Sequence, residues 1–228
     1  MSEQAIQLNY EDMLKAGMHF GRKKTVFNPK MKKYVFTIKE GICIIDLLKT
    51  QSELNAVAEY LKNSLSGTGL VLFVGLTKQS SDSMKGLAEA LNMPYIIDRW
   101  IGGTLTNFKI ISARVKRLEE MEKDRDSGAL DKYTKKERLM FDREIKKMEQ
   151  RFGGLRKLSR IPDVVFVSSL KESALPVHEA QKTGVKVVAI TNTDANPEDA
   201  DYVIPANDRS KKAIDLIIEA LKVELSSK

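Results

Sequence analysis

Cysteine is almost missing from this chain: 228 residues contain one, Cys43. A single thiol excludes an internal disulfide framework and any multi-cysteine metal site. Cys43 lies in the run Ile42-Cys43-Ile44-Ile45 and reads as a small buried hydrophobe rather than a reactive thiol. Histidine is scarce too, and His19 and His178 stand far apart, so nothing supports a histidine metal centre or proton relay. No apolar run approaches the roughly 20 residues of a bilayer span, so no membrane is expected as a partner. The N-terminal MSEQAIQLNYED has neither an apolar secretory core nor an Arg-rich transit pattern, which predicts a chain that stays in the cytoplasm. GxxxxGK[ST] and GxGxxG are both lacking, which excludes a P-loop and a dinucleotide fingerprint. Ser80-Ser81 and Ser168-Ser169 have no neighbouring His or Lys in sequence to mark an activated nucleophile. Asp163, Asp194, Asp199 and Asp201 fall at strand ends and loops, where caps and turns account for them. No enzymatic activity, cofactor, metal or small-molecule substrate is expected.

What is present is a foldable chain with an uneven charge. Apolar residues make up 42% and charged residues 30%, enough for a sizeable core. The length fits one α/β domain, or one with an appendage. The net charge is +7, yet the stretch from Met13 to Lys39 has eight bases and no acid, so the rest of the chain sums to −1. Phe20, Phe27, Tyr34 and Phe36 are interleaved with those bases. Lys and Arg attract phosphates and release counterions, and aromatics stack on exposed bases. The block therefore suggests a nucleic-acid surface; a solvated loop with inward aromatics is the plainer alternative.

Along the chain, Tyr34–Ile38 and Ile42–Leu47 read as a hairpin. Thr50-x-x-Glu53 is a capping box for a helix through Leu65. Leu70–Val74 and Asp163–Val167 are continuous apolar runs, as strands buried on both faces require. Helices are expected at Ser80–Leu91, from the Ser169-x-x-Glu172 cap to about Lys182, and after Asn207 or Asp208. Further strands are expected at Pro94–Ile97, Val185–Ile190 and Tyr202–Ile204. Alternating strands and helices predict a parallel sheet covered on both faces. Lys109–Arg151 interrupts the pattern, with 14 basic and 10 acidic residues in 43. Ile111, Val115 and Leu118, and Phe141, Ile145, Met148 and Phe152, follow the narrow seam of a coiled coil. Ser127-Gly128 breaks it and Thr134-x-x-Glu137 caps the second half, which predicts a projecting antiparallel helical hairpin. The expected division is a basic arm over 1–40, a discontinuous α/β domain over 41–108 and 153–228, and the hairpin over 109–152.

Two resemblances bear on function. Ala189-Ile190-Thr191-Asn192 with Ala200–Ile204 looks like the end of a sugar-isomerase-type domain that binds phosphosugars, although the SxSGxT loop of such domains is absent. The other is more extensive. Met13-Leu14-Lys15-Ala16-Gly17-Met18-His19-Phe20-Gly21, Asn28-Pro29-Lys30-Met31, Leu72-Phe73-Val74-Gly75, Arg99-Trp100-Ile101-Gly102-Gly103-Thr104-Leu105-Thr106-Asn107, Leu130-Asp131-Lys132-Tyr133-Thr134-Lys135-Lys136-Glu137 and Ile204-Pro205-Ala206-Asn207-Asp208 occur in this order. Together they closely resemble the bacterial ribosomal protein S-two family of the small subunit, from about Tyr10 to Leu221. Arg22 stands where the family commonly has a second His, Phe27 where it has Trp, and Gly75-Leu76-Thr77-Lys78 where it has Gly-Thr-Lys.

The resemblance implies a flavodoxin-like α/β fold with an inserted coiled-coil hairpin. It also implies a structural role on small-subunit RNA, and contact with the large, mRNA-binding first protein of that subunit. RNA contacts are expected from Arg22, Lys23, Lys24, Lys30, Lys32 and Lys33. His19 and Asn28 would serve hydrogen bonding or local turn structure. At the hairpin root, Arg99 would meet phosphate, Trp100 would pack in the core, and Thr106 and Asn107 would cap the first hairpin helix. Arg114, Lys116, Lys135, Lys136 and Lys147 would present a basic face on the hairpin.

Overall fold

The computed structural model describes residues 6–127 and 133–226. Gly128 of the expected break and Leu130-Asp131-Lys132 of the fifth motif lie outside the described residues. The elements run α1 (Tyr10–Lys15), β1 (Phe20–Lys23), β2 (Val35–Lys39), β3 (Ile42–Ile45), α2 (Leu47–Leu65), β4 (Val71–Val74), α3 (Ser81–Ala90), β5 (Tyr95–Ile96) and α4 (Phe108–Asp126). They continue with α5 (Lys135–Phe152), β6 (Val164–Val167), α6 (Ala174–Thr183), β7 (Lys186–Thr191), β8 (Tyr202–Pro205) and α7 (Lys211–Ser226).

Five strands form a parallel sheet in the order β5-β4-β6-β7-β8. Counted from its own first strand this is 2-1-3-4-5, the flavodoxin-like doubly wound order. The central strands β4 and β6 read VLFV and VVFV, β-branched and aromatic residues buried on both faces. Their side chains alternate between two cores. Val71, Phe73, Val164, Phe166, Val188 and Ile190 face α2, α3 and α7, with Phe73 and Phe166 edge to face at 5.8 Å. Leu72, Val74, Val165, Val167, Val187 and Ala189 face α6 and the hairpin side.

A second sheet, β1-β3-β2, is antiparallel. Its β2–β3 turn holds Glu40 and Gly41, both at positive φ (51° and 76°), the backbone a two-residue primed turn demands. This turn is the expected boundary at residues 40 and 41, so the small sheet straddles it. The basic block is also better anchored than its composition implies. Met13 and Met18 join the core beneath α2 and α7, and Met31 and Tyr34 pack on Val203.

Helix boundaries differ from the sequence reading at three caps. Helix α2 starts at Asp46, whose side chain accepts from Leu48 N–H, so Thr50 lies inside the helix. There its hydroxyl donates to the Pro205 carbonyl at 2.6 Å. Ser169 caps only a turn, accepting from Glu172 N–H at 3.4 Å, and α6 begins five residues later. Asn207 likewise caps a turn through Arg209 N–H, and Ser210 Oγ accepts from Ala213 N–H in the first turn of α7. The Thr134–Glu137 capping box is fully formed.

Candidate nucleic-acid interface

In a doubly wound sheet, ligands bind in the crevice beyond the carboxyl ends of the strands. Here the chain fills that place with its own basic block. Asn28 N–H donates to the Thr193 carbonyl at 2.9 Å, and Arg22 N–H to Thr193 Oγ1 at 2.8 Å. From the body, Asn207 N–H donates to the Met18 carbonyl at 3.1 Å and its Nδ2 to the Gly17 carbonyl at 3.0 Å. Ser210 Oγ donates to the Ala16 carbonyl at 2.7 Å. Gly21 is wedged in this contact: a Cβ there would lie 2.7 Å from both the Cys43 carbonyl oxygen and Thr193 Cγ2.

Arg22 is the electrostatic centre of the plug. Its Nε is 3.3 Å from Asp194 Oδ2 and its Nη2 is 3.3 Å from Asp208 Oδ1. Asp208 further accepts from Ser169 Oγ at 2.6 Å and Asn192 Nδ2 at 3.0 Å, and Asp194 pairs with Lys171 at 2.9 Å. With 16% of its side chain exposed, Arg22 is a counter-ion for two buried carboxylates. This corrects the expectation that it is a free phosphate ligand, because buried charge must be paired within the fold. At the place Arg22 occupies, a phosphosugar would meet filled space and two carboxylates.

The other residues of the block divide. Lys23, Lys24 and Lys32 are exposed and carry no ion pair among the described residues. Lys30 is exposed but ion-paired with Glu198, and Lys33 Nζ sits 4.7 Å over the Tyr34 ring. Asn28 accepts from Lys30 N–H and opens the short 3-10 helix Pro29–Tyr34. The His19 ring lies against Phe20 with centroids 4.0 Å apart. Burial pushes the His19 pKa below its ordinary 6.5. Asn28 thus shapes the local turn, while the His19 side chain contributes a ring contact. Cys43 is buried.

At the hairpin root the decisive residue is one the sequence did not single out. Glu179, on α6, is 5% exposed. Its Oε1 accepts from Trp100 Nε1 at 2.9 Å and Gly103 N–H at 2.8 Å. Its Oε2 accepts from Leu105 N–H at 3.1 Å, Thr106 N–H at 3.3 Å and Thr106 Oγ1 at 3.2 Å. Burial alone would raise the carboxyl pKa, but the indole and backbone donors outweigh it and hold it below the ordinary value near 4.5. Gly103, at φ 89°, turns the backbone so that these N–H groups converge. The Gly-Gly-x-Leu-Thr stretch is thereby a carboxylate clamp. Trp100 is core, as expected, while Thr106 serves the clamp instead of capping α4. Asn107 occupies the N-cap position without a side-chain capping bond. Arg99 is exposed. In sequence, Glu179 is one acid in an amphipathic helix, and no spacing rule marks it.

Helices α4 and α5 bury Ile111, Val115, Leu118, Met121, Ile145 and Phe152, with Phe141 and Met148 partly covered, in one cluster with the body. Arg156 ties the pair to the body through a bidentate ion pair with Glu122, at 2.8 and 2.7 Å. Arg114, Lys116, Lys135, Lys136 and Lys147 are exposed and free of ion pairs among the described residues. The structure brings Arg114 and Lys147 together with Arg143 and Arg151 along a groove of about 940 Å³ that Glu137 and Glu144 also line. Arg151 also lines a cleft of about 500 Å³ with Arg99, so the hairpin bases run on to the root. Lys135 and Lys136 lie apart, at the start of α5. Among the described residues no helix is long and apolar enough to cross a membrane, and no cluster of three or more His, Cys, Asp or Glu is placed to hold a metal ion.

Comparison with known proteins places this geometry. The family described as Ribosomal protein S2 matches residues 13–225. A small ribosomal subunit protein uS2 of Bifidobacterium animalis subsp. lactis is 44% identical over 212 residues, covering 92% of this chain and 70% of that protein. The uS2 of Bifidobacterium longum is 42% identical over 215 residues, covering 92% and 75%. The uS2 of Francisella tularensis subsp. novicida is 41% identical over 204 residues, covering 90% and 85%. With the matched span embracing the plug, the clamp, the hairpin and the sheet alike, the chain belongs to the ribosomal protein S2 family.

Proposed function

We infer that this chain is a structural constituent of the small ribosomal subunit, bound through small-subunit RNA and neighbouring ribosomal proteins in the cytoplasm. Family membership over nearly the whole chain supports the subunit assignment. The observation that carries RNA contact is the exposed trio Lys23, Lys24 and Lys32, without ion pairs among the described residues, while Arg22 is neutralised from within and Lys30 pairs with Glu198 at the surface. Unpaired surface lysines can exchange counterions for phosphates at little internal cost. The basic run from Arg114 and Lys147 to Arg99 is a second, weaker contact surface. The division into arm (1–40), body (41–108 and 153–228) and coiled-coil hairpin (109–152) is then a division of labour: RNA on the arm, rigid positioning by the body, and reach by the hairpin. The large, mRNA-binding first protein of the subunit is the protein neighbour this reading assigns. The role requires no chemical step, only shape and charge.

The test is RNA affinity as a function of salt for the wild type and for Lys23→Ala/Lys24→Ala/Lys32→Ala. The slope of log K against log salt flattens by about 0.7–0.9 for each phosphate contact removed. An unchanged slope removes the arm from the RNA surface.

A further inference from the structure

The antiparallel register of the small sheet sets two rows of side chains on one face. Phe20 is opposite Ile44, which is opposite Thr37; Lys23 is opposite Ile42, which is opposite Lys39. Directly opposed residues share a face. Cys43 and Ile45 alternate to the other face and are buried against the body, so the Phe20 and Lys23 rows face outward. Phe20 is 47% exposed, an unusual position for a Phe. Its ring is not loose: it lies over Gly17, where even a Cβ would come within 3.4 Å of it, and against the His19 ring. The face is thus a pre-positioned aromatic ring with half-buried Ile44 and Ile42 beside it and a lysine at either side of the next row. No acid occupies any of these six positions, and neither Lys23 nor Lys39 has an ion pair among the described residues.

We propose that the outer face of β1-β3-β2 is a stacking platform for unpaired RNA nucleotides, with a base on Phe20 and its flanking phosphates on Lys23 and Lys39. The proposal rests on the RNA reading above and assigns the class of RNA. Along β3 the two rows lie about 6.8 Å apart, two residues at ~3.4 Å each, while on β1 Phe20 and Lys23 stand three residues apart across a register irregularity. A base over Phe20 therefore leaves its own backbone within reach of the flexible lysine stems. A paired duplex hides its base faces and offers only phosphate and ribose, so the ring favours a loop, bulge or strand end. Charge decides for RNA over a protein partner: the outward row ends carry cations, with none of the carboxylate partners a mixed protein interface places among them.

The experiment uses the full chain with two probes, a stem-loop RNA with an adenine-rich loop and a blunt RNA duplex of equal length. Phe20→Ala is expected to weaken stem-loop binding roughly tenfold, the loss of one stacked base, with duplex affinity and salt slope unchanged. Phe20→Leu keeps an apolar side chain and should lose as much, while Phe20→Trp should bind at least as well as wild type. An unchanged urea midpoint for Phe20→Ala excludes misfolding as the cause. Stem-loop affinity retained by Phe20→Leu or Phe20→Ala overturns the platform and leaves the lysine surface standing. Wild type binding neither probe at low salt overturns the RNA reading itself. A Phe20→Ala chain that binds both probes normally but is not retained on small subunits marks the face as a protein contact, which also overturns the platform.

Discussion

Replacing Arg22 with Ala leaves Asp194 and Asp208 buried without their shared counter-ion. Removing one partner from a buried ion pair costs about 3–5 kcal/mol; Lys171 on Asp194 and the Ser169 and Asn192 donors on Asp208 place this case at the lower end. Urea denaturation of Arg22→Ala checks it, and a cost below about 1 kcal/mol would show that the plug is held by packing alone. Glu179 makes a prediction in pH. Its folded pKa is depressed, so its stabilisation is fully present above the unfolded value near 4.5 and is lost as pH falls through the lower, folded value. Glu179→Gln keeps one acceptor oxygen but no charge. It should be less stable than wild type at neutral pH, by about 1–3 kcal/mol, and the gap should narrow as pH falls below 4.5. Thermal melts from pH 7 to 3 read this directly, and parallel curves would remove the charge from the explanation.

At the scale of elements, the basic block and the hairpin are attached to the body in different ways. The block is held by close backbone approach at Gly21. Gly21→Ala forces the Cys43 carbonyl or Thr193 aside, an overpacking cost of about 1–3 kcal/mol. Hydrogen exchange should show the loss first at β1 and the Asn28–Thr193 contact, with the β4 and β6 amides unaffected. The hairpin is instead a charged pair of helices whose second member depends on its cap. Thr134→Ala removes the hydroxyl half of the capping box and leaves the backbone N–H at position 134 on Glu137, at a cost of about 1 kcal/mol. Its expected signature is faster exchange in the first turn of α5 with an unchanged urea midpoint for the body. A shifted midpoint would mean that hairpin and body unfold as one unit.

For the whole molecule, the basic excess lies in one stretch of chain, and after Arg22 and Lys30 are paired its exposed part is carried by Lys23, Lys24, Lys32, Lys33 and Lys39. Charge of one sign on one face steers association and makes it salt-sensitive. The protein is expected to co-sediment with small subunits on a sucrose gradient at low salt and to be stripped at high salt. Presence at the top of the gradient in low salt would contradict the assignment. In the doubly wound body the block and its Arg22 counter-ion occupy the ends of β7 and β8.

The elements that depend on local pattern are legible in the sequence. Leu70–Val74 and Asp163–Val167 read as doubly buried strands because their apolar runs are continuous, and the strands form over Val71–Val74 and Val164–Val167; the Thr134 box is legible because both partners are three residues apart. The parallel order follows from the strand–helix alternation those runs impose. What the sequence could not settle is partnership at long range. Whether Thr50 caps or Asp46 does depends on the Pro205 carbonyl, 155 residues away, taking the Thr50 hydroxyl. Arg22 looks like any base in a basic block until topology sets Asp208, 186 residues on, against it. Glu179 is one acid in a helix until the chain closes Gly103–Thr106 around it. Periodicity records which face of an element avoids water; it has no record of which distant charge or backbone amide arrives there. That was decided only when β-strands far apart in sequence aligned their ends and brought the loops of the fold together.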